Sequence, residues 1–292
     1  MKIGVIGLGN MGEPMARNLV LAGYEVRGFD IAIPCPGDIK TVKSAAELAT
    51  LSDVVITMLP SGSIVKEVAS EILPNMAKGS ILLDCSTIDV ESARIVADTA
   101  ADNGVFMADA PVSGGVTGAV AGTLTFMVGG STETFSTLKP LFDIMGQKAV
   151  HCGDAGNGQA AKICNNMILG ATMIVTCEAF SLADKLGLDR EKMFDVVSTS
   201  SGYSWSMNAY CPAPDIGPMS PADNDYKPGF SADLMLKDLR LSQQAAKAVD
   251  ADTPLGMHAT SLYQTFVEME DGQGKDFSAM LPRFSKRNRT DT

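Results

Sequence analysis

Histidine is nearly missing from this chain: among 292 residues there are two, His151 and His258, far apart and without a neighbouring carboxylate motif. That excludes chemistry built on a histidine base, whether a His-centred dehydrogenase or a Ser-His-Asp hydrolase, and no metal site is expected. The six cysteines (35, 85, 152, 164, 177 and 211) form no C-x-x-C pair. Most sit in apolar runs, so they read as reduced thiols packed as small hydrophobes, not as disulfides or metal ligands. Basic runs are absent apart from residues 283–289, and the formal net charge is −11. Nucleic acid and anionic membrane are therefore not expected partners, while a small anionic substrate is compatible with a local positive site. The first residues show no cationic start, long apolar core or cleavage site, so no signal peptide is expected. The most apolar run, residues 167–177, is short for a bilayer span. The expectation is a soluble, cytoplasmic protein. No internal repeat or low-complexity segment is found, and the length suits two domains.

A strand over residues 2–6 leads at once into Gly7-Leu8-Gly9-Asn10-Met11-Gly12, then a helix over 13–21 and a strand over 24–29 closing on Asp30. This is the strand, glycine turn, helix, strand order of a dinucleotide site. Gly7 allows the tight turn, Gly9 lets the backbone approach a pyrophosphate, and Gly12 lets helix and strand pack closely. The helix N-terminus then offers N–H groups and partial positive charge to the phosphates. A methyl-donor site is a rival, but the three-glycine spacing fits a dinucleotide better. A carboxylate at Asp30 suits the ribose hydroxyls and repels a 2′-phosphate. Ile31, Ala32, Ile33 and Pro34 follow with no arginine, so NAD is expected over NADP.

The α/β alternation continues. Ser44 and Glu47 form a capping box before a short helix. Strands are expected over 53–59, 80–84, 105–108, 123–128 and 148–152, and helices over 61–72, 89–103 and 132–144. Loops at strand C-termini, at Leu59-Pro60 and Cys85-Ser86-Thr87, are where ligands sit in such sheets. Asp109-Ala110-Pro111-Val112-Ser113-Gly114-Gly115 reads as a second ligand loop, since a serine hydroxyl and successive N–H groups can cradle a carboxylate.

Residues 156–189 organise the rest. They lack proline, begin with a glycine pair and end at Leu186-Gly187, a helix stop. A helix over 159–185 would run about 40 Å, long enough to join two domains. Lys162 and Asn166 are four apart and share a face. Among buried neighbours they need partners, for which a ligand is one candidate. Beyond this helix, strand patterns nearly vanish. Helices are expected over 190–198, 232–249 and 254–270, with a long loop over 211–229. Lys237-Asp238 lies in one of them and, from spacing alone, reads as a surface ion pair. The fold expected is α/β, with a Rossmann-type dinucleotide-binding domain over 1–158. An all-α domain follows over 159–292, beginning with the interdomain helix.

Four motifs in order, GLGNMG, DAPVSGG with GTLTFMVGG behind it, GNGQAAKICNNM and LMLKDL, resemble the β-hydroxyacid dehydrogenase family. The segment 205–214 and the pattern at 224–230 resemble its 3-hydroxyisobutyrate branch. The loop over 215–225 and the tail after 277 match less well. The resemblance implies a homodimer or homotetramer. It implies Lys162 as catalytic lysine, Asn166 as substrate-orienting asparagine, and Ser113, Gly114 and Gly115 as the carboxylate loop. It implies Leu59, Pro60 and Thr87 as cofactor contacts and Lys237 near the nicotinamide. The activity implied is hydride transfer between NAD and a small 3-hydroxy acid, above all 3-hydroxyisobutyrate to methylmalonate semialdehyde in valine breakdown. Tartronate semialdehyde, succinic semialdehyde, glyoxylate and L-serine are the alternatives within the family, and a non-catalytic NAD-binding protein is the alternative outside it. In this mechanism Lys162 takes the hydroxyl proton. Burial, the helix N-terminus and a cationic nicotinamide would favour its neutral form, and the substrate carboxylate would oppose them.

Overall fold

A computed structural model describes residues 1–286. The chain divides into two compact units, Met1–Lys162 and the remainder from Ile163. In the first, β1 (Lys2–Ile6) leads through the glycine turn to α1 (Gly12–Leu21) and β2 (Glu25–Phe29). Alternation continues with β3 (Lys40–Thr41), α2 (Ala45–Thr50), β4 (Val54–Thr57), α3 (Gly62–Ile72), β5 (Ile81–Asp84), α4 (Val90–Asp102) and β6 (Phe106–Asp109). Then come β7 (Val112–Ser113), α5 (Gly115–Ala121), β8 (Leu124–Gly129), α6 (Thr132–Met145) and β9 (Gly146–Gly153).

The sheet order is β3-β2-β1-β4-β5-β6-β8-β7, with β9 also paired to β8. Strands β1 to β6 are parallel, and β8 runs antiparallel to β6 and β7. Every residue of β4 and β5 is buried, which is why they read as unbroken apolar runs: both faces are covered. One face packs Met15, Leu19 and Phe142, the other Leu48, Val65 and Val96. The strand order reverses at β1, whose neighbours are β2 and β4, so the glycine turn opens at the switch point of the sheet.

Side chains start most of these helices. Ser44, Ser61, Asp89 and Ser131 each accept from the first turn of α2, α3, α4 and α6. The box at Ser44 is modified, because Glu47 accepts from Lys43 N at 2.8 Å and not from Ser44. Helix α5 and the short β3 and β7 were not expected. The sequence of α5, GVTGAVA, has little helix propensity. Asn18 on α1 steadies it by donating to the Ala119 carbonyl at 2.7 Å.

Helix α7 (Asn157–Leu186) begins in the first unit and supplies Ile163 onward to the second. Its length and an 18-residue window of mean hydropathy 1.4 would let it cross a membrane by composition, more than its apolar run suggested. Half of that window is buried in the protein, as in a core helix. The second unit continues with α8 (Arg190–Val197), α9 (Trp205–Asn208), α10 (Ala232–Ala248), α11 (Pro254–Met269) and α12 (Met280–Lys286). Its core gathers Met173, Phe180, Met235, Tyr263 and Phe277. The 211–229 loop is tied down by the buried Asp276 carboxylate, which accepts from Tyr210 Oη at 2.8 Å, Gly229 N at 3.0 Å and Phe230 N at 3.1 Å. Of the basic tail, Arg283 is buried and pairs with Glu270, while residues 287–289 lie outside the described residues.

Candidate active site

The glycine turn has the shape its spacing predicts. Gly7 has φ +93°, and a Cβ there would lie 2.3 Å from the Met58 carbonyl oxygen. A Cβ on Gly12 would sit 1.9 Å from the Gly7 carbonyl oxygen, so only glycine lets α1 start so near β1. Gly9 differs: a Cβ would meet nothing nearer than Ile33 Cδ1 at 4.0 Å. Its missing side chain leaves open space, which is what close approach of a pyrophosphate requires. Helix α1 has Met11 at its N-cap and no side-chain cap, unlike α2, α3, α4 and α6, so no capping side chain occupies its N-terminus, where a phosphate can take that place. Leu8 is buried and fixes the turn. These residues fit a dinucleotide.

Asp30 does more than end β2. Its Oδ2 accepts from Leu8 N at 2.8 Å, and its Oδ1 accepts from Ala32 N at 2.8 Å and Ile33 N at 2.9 Å. Burial works against its charge, but the three N–H donors hold the carboxyl below its usual range. A fixed anion thus braces the glycine turn from the end of the second strand.

The next two strand ends form a second layer. Thr57 Oγ1 donates to Asp84 Oδ1 at 2.8 Å, Ser86 N donates to the same oxygen at 3.1 Å, and Leu59 N donates to Ser86 Oγ at 2.8 Å. Leu59, exposed Pro60 and Thr87 therefore sit on loops held by one buried carboxylate. Burial pushes the Asp84 carboxyl up to about 6 against the bonds from Ser86 and Thr57, and the neighbouring Asp109 charge adds to the rise.

Lys162 is buried, and its Nζ donates to the Val112 carbonyl at 2.8 Å. That carbonyl directly precedes Ser113, Gly114 and Gly115, so the lysine lies at the predicted carboxylate loop. Gly114 (φ +128°) and Gly115 (φ +62°) turn the chain from β7 into α5 in a conformation that side chains disfavour. Two residues beneath it have partners that the sequence did not assign, although Asp109 opens the loop read there. Asp109 is wholly buried and accepts from Gly156 N at 2.7 Å and Gln159 N at 2.9 Å, at the start of α7. Buried Gln159 donates from Nε2 to the Ser86 carbonyl at 2.7 Å and accepts from Ile88 N at 3.1 Å. The α7 N-terminus is therefore not the bare positive pole expected near Lys162; a carboxylate covers it.

In the second unit, Asn166 is buried and donates from Nδ2 to Asp238 Oδ2 at 2.5 Å, while its Oδ1 accepts from Asn165 Nδ2 at 2.9 Å. Asp238 is buried as well, so the surface ion pair expected at Lys237-Asp238 is corrected: the aspartate faces inward, to the asparagine. Lys237 is half-buried on α10. His151 is a packing residue, with Nε2 2.7 Å from the Gly130 carbonyl and its ring stacked on Phe135.

Comparison with known proteins accords with this geometry. Residues 2–153 match the family of the NAD binding domain of 6-phosphogluconate dehydrogenase. Residues 156–284 match the NAD-binding family of NADP-dependent 3-hydroxyisobutyrate dehydrogenase. The solved structure of Mycobacterium tuberculosis 3-hydroxyisobutyrate dehydrogenase with L-serine is 46% identical, covers 97% of this chain and 98% of its own, and superposes with a TM-score of 0.92. The 3-hydroxyisobutyrate dehydrogenase of Pseudomonas aeruginosa is 44% identical over 95% of this chain and 96% of its own length. The NAD-dependent L-serine dehydrogenase of that organism is 41% identical over 97% of each. Identity on this scale, along nearly the whole of both chains, means that the chain belongs to the 3-hydroxyisobutyrate dehydrogenase family of β-hydroxyacid dehydrogenases.

Proposed function

We propose that this enzyme oxidises 3-hydroxyisobutyrate to methylmalonate semialdehyde with NAD, as a step of valine breakdown. The observation that carries the reading is Lys162, buried and held at the Val112 carbonyl where the Ser113, Gly114 and Gly115 loop begins. Backbone N–H groups of that loop and the Ser113 hydroxyl take the substrate carboxylate. Asn166, locked by Asp238, orients the substrate hydroxyl toward Lys162. Lys162 accepts the hydroxyl proton during oxidation and returns it during reduction, which is general acid–base catalysis by a positioned amine. NAD, when bound, supplies the hydride acceptor. Gly7, Leu8, Gly9, Asn10, Met11 and Gly12 would hold its pyrophosphate, and Leu59, Pro60, Thr87 and Lys237 would be its further contacts.

NAD is preferred because Asp30 is a fixed anion at the ribose position and residues 31–35 contain no base. L-serine is a second substrate in this reading, supported by the relative named for it. It shares with 3-hydroxyisobutyrate a primary hydroxyl β to a carboxylate and differs in the group on the carbon between. A homodimer or homotetramer is also part of the reading. Exposed Ile168, Val175 and Leu182 recur every seven residues on α7 and form an apolar stripe that a second copy can cover. A cytoplasmic location is in keeping with six unpaired cysteines.

The test is nicotinamide reduction with NAD and NADP across 3-hydroxyisobutyrate, L-serine, D-glycerate and 4-hydroxybutyrate. NAD-linked turnover fastest on 3-hydroxyisobutyrate is expected. Faster turnover on another hydroxy acid would keep the mechanism and reject the substrate.

A further inference from the structure

Asp109 ends β6, and its carboxylate is the most connected buried acid of the first unit. Burial pushes its carboxyl above the usual range, and the N–H groups of Gly156, Gln159 and Gly158 act against that rise. These donors are the orphan N–H groups of the first turn of α7, the positive end of that helix. Lys162 follows Gln159 by three residues, about 4.5 Å of helix rise. The same lysine returns to the β6 side, since its Nζ donates to the carbonyl of Val112, three residues after Asp109. The aspartate and lysine thus close a ring: β6, Asp109, the first turn of α7, Lys162, Val112 and back. Gln159 extends it to the 86–88 loop through Ser86 O and Ile88 N. Glycines make the fit possible. A Cβ on Gly158 would lie 2.5 Å from the Asp109 carbonyl oxygen, and one on Gly129 would lie 2.4 Å from Asp109 Oδ1.

We propose that Asp109 is the positioning residue for Lys162: its buried carboxylate closes the first turn of α7 and thereby sets where the lysine amine sits and how readily it holds a proton. A negative charge at the helix start opposes the positive pole there and favours the ammonium. Without it the amine would lose its proton at lower pH. The titratable groups near Asp109 are Asp84 on β5 and Cys152 on β9, while Arg94 on α4 is exposed and lies against Gly156. Strand β8 beside it has no titratable residue. The charged residues of α6 (Glu133, Lys139 and Asp143) and the remaining ones of α4 (Glu91, Asp98 and Asp102) are exposed. Burial raises the carboxyls of both Asp84 and Asp109, and at Asp109 the backbone N–H groups at the start of α7 work against that rise and favour the carboxylate.

The proposal rests on Lys162 being the proton acceptor assigned above. The test is the pH dependence of kcat for 3-hydroxyisobutyrate oxidation in the wild type, Asp109→Asn and Asp109→Ser, with NAD affinity measured on each and Lys162→Ala run alongside. Both Asp109 variants should lose about tenfold or more in kcat. Their rising limb should move to lower pH by about half a unit or more. NAD affinity should stay within about threefold. Loss of kcat with the limb unmoved would mark a helix cap and nothing more, and would overturn the proposal. So would kcat within about twofold of the wild type. A wild type without turnover, or a fully active Lys162→Ala, would sink the functional reading instead. NMR decides the inference in that case, and also if neither variant folds. In the wild type, the 13Cγ signal of Asp109 must read as carboxylate throughout the pH range in which the 13Cε signal of Lys162 titrates. A protonated Asp109 there overturns it.

Discussion

Asn166 and Asp238, 72 residues apart, meet inside the helical unit through a 2.5 Å bond from amide to carboxylate. The amide must present its NH2 to Asp238, which leaves its carbonyl oxygen to accept from Asn165 and fixes the orientation of the side chain. Asp238→Ala removes the acceptor and strands a buried amide, at a cost of about 1–3 kcal/mol in stability. Turnover on 3-hydroxyisobutyrate should fall about 10–100-fold in kcat/KM while NAD affinity changes little. Asp238→Asn can still accept through its carbonyl and should recover part of the loss. Steady-state kinetics and titration calorimetry on the two variants check this.

The two glycines at the mouth of the turn should separate folding from binding. Gly9→Ala adds a methyl to open space, so its Tm should stay within about 2 °C of the wild type. Its affinity for NAD should fall about tenfold or more as the methyl occupies the pyrophosphate position. Gly12→Ala drives a methyl onto the Gly7 carbonyl and should lose about 1–3 kcal/mol of stability or more. Thermal melts with and without NAD distinguish the two.

Asp30 holds three backbone N–H groups, and the proposed function puts it at the cofactor ribose. Asp30→Ala should shift the NAD/NADP ratio of kcat/KM about tenfold toward NADP by removing a charge that repels the 2′-phosphate. The variant should also melt earlier, because Leu8, Ala32 and Ile33 lose their acceptor. An unchanged cofactor ratio would mean that Asp30 braces the turn without selecting.

Asp84 gives a pH signature. Its folded carboxyl sits at about 6, above an ordinary value of 3.8, so the native state binds the extra proton. The stabilisation linked to that proton is fully present below about pH 4 and is lost as pH rises through about 6. Asp84→Asn keeps an acceptor for Thr57 and cannot ionise. Relative to the wild type it should gain stability between pH 4 and 6, by an order of 2–3 kcal/mol, and level off above. Urea unfolding at several pH values measures the difference.

Much of this site was readable before the fold. The glycine turn follows a fixed spacing, which pointed to Gly7, Gly9, Gly12 and Asp30 even though Gly7 packs on Met58 and Asp30 reaches back to Leu8 N. Lys162 and Asn166 were legible because four-residue spacing puts them on one helix face and the motif around them is specific. The partners of Asp109, which opens the second ligand loop, and of Asp238 were not. They lie 50 and 72 residues away, and a strand-end acid or a lysine–aspartate pair looks like surface until tertiary contacts bury it. Helix α5 escaped for the same reason: its sequence disfavours a helix, and Asn18, a distant side chain, completes its hydrogen bonding.

The most direct test of the account is Lys162→Ala, assayed for NAD reduction with 3-hydroxyisobutyrate beside NAD binding by calorimetry. Loss of about 10²–10⁴-fold in kcat with NAD affinity intact is predicted, the range expected when a positioned acid–base group is removed. A variant that binds NAD and keeps most of its turnover would contradict the assignment of Lys162 and the mechanism built on it.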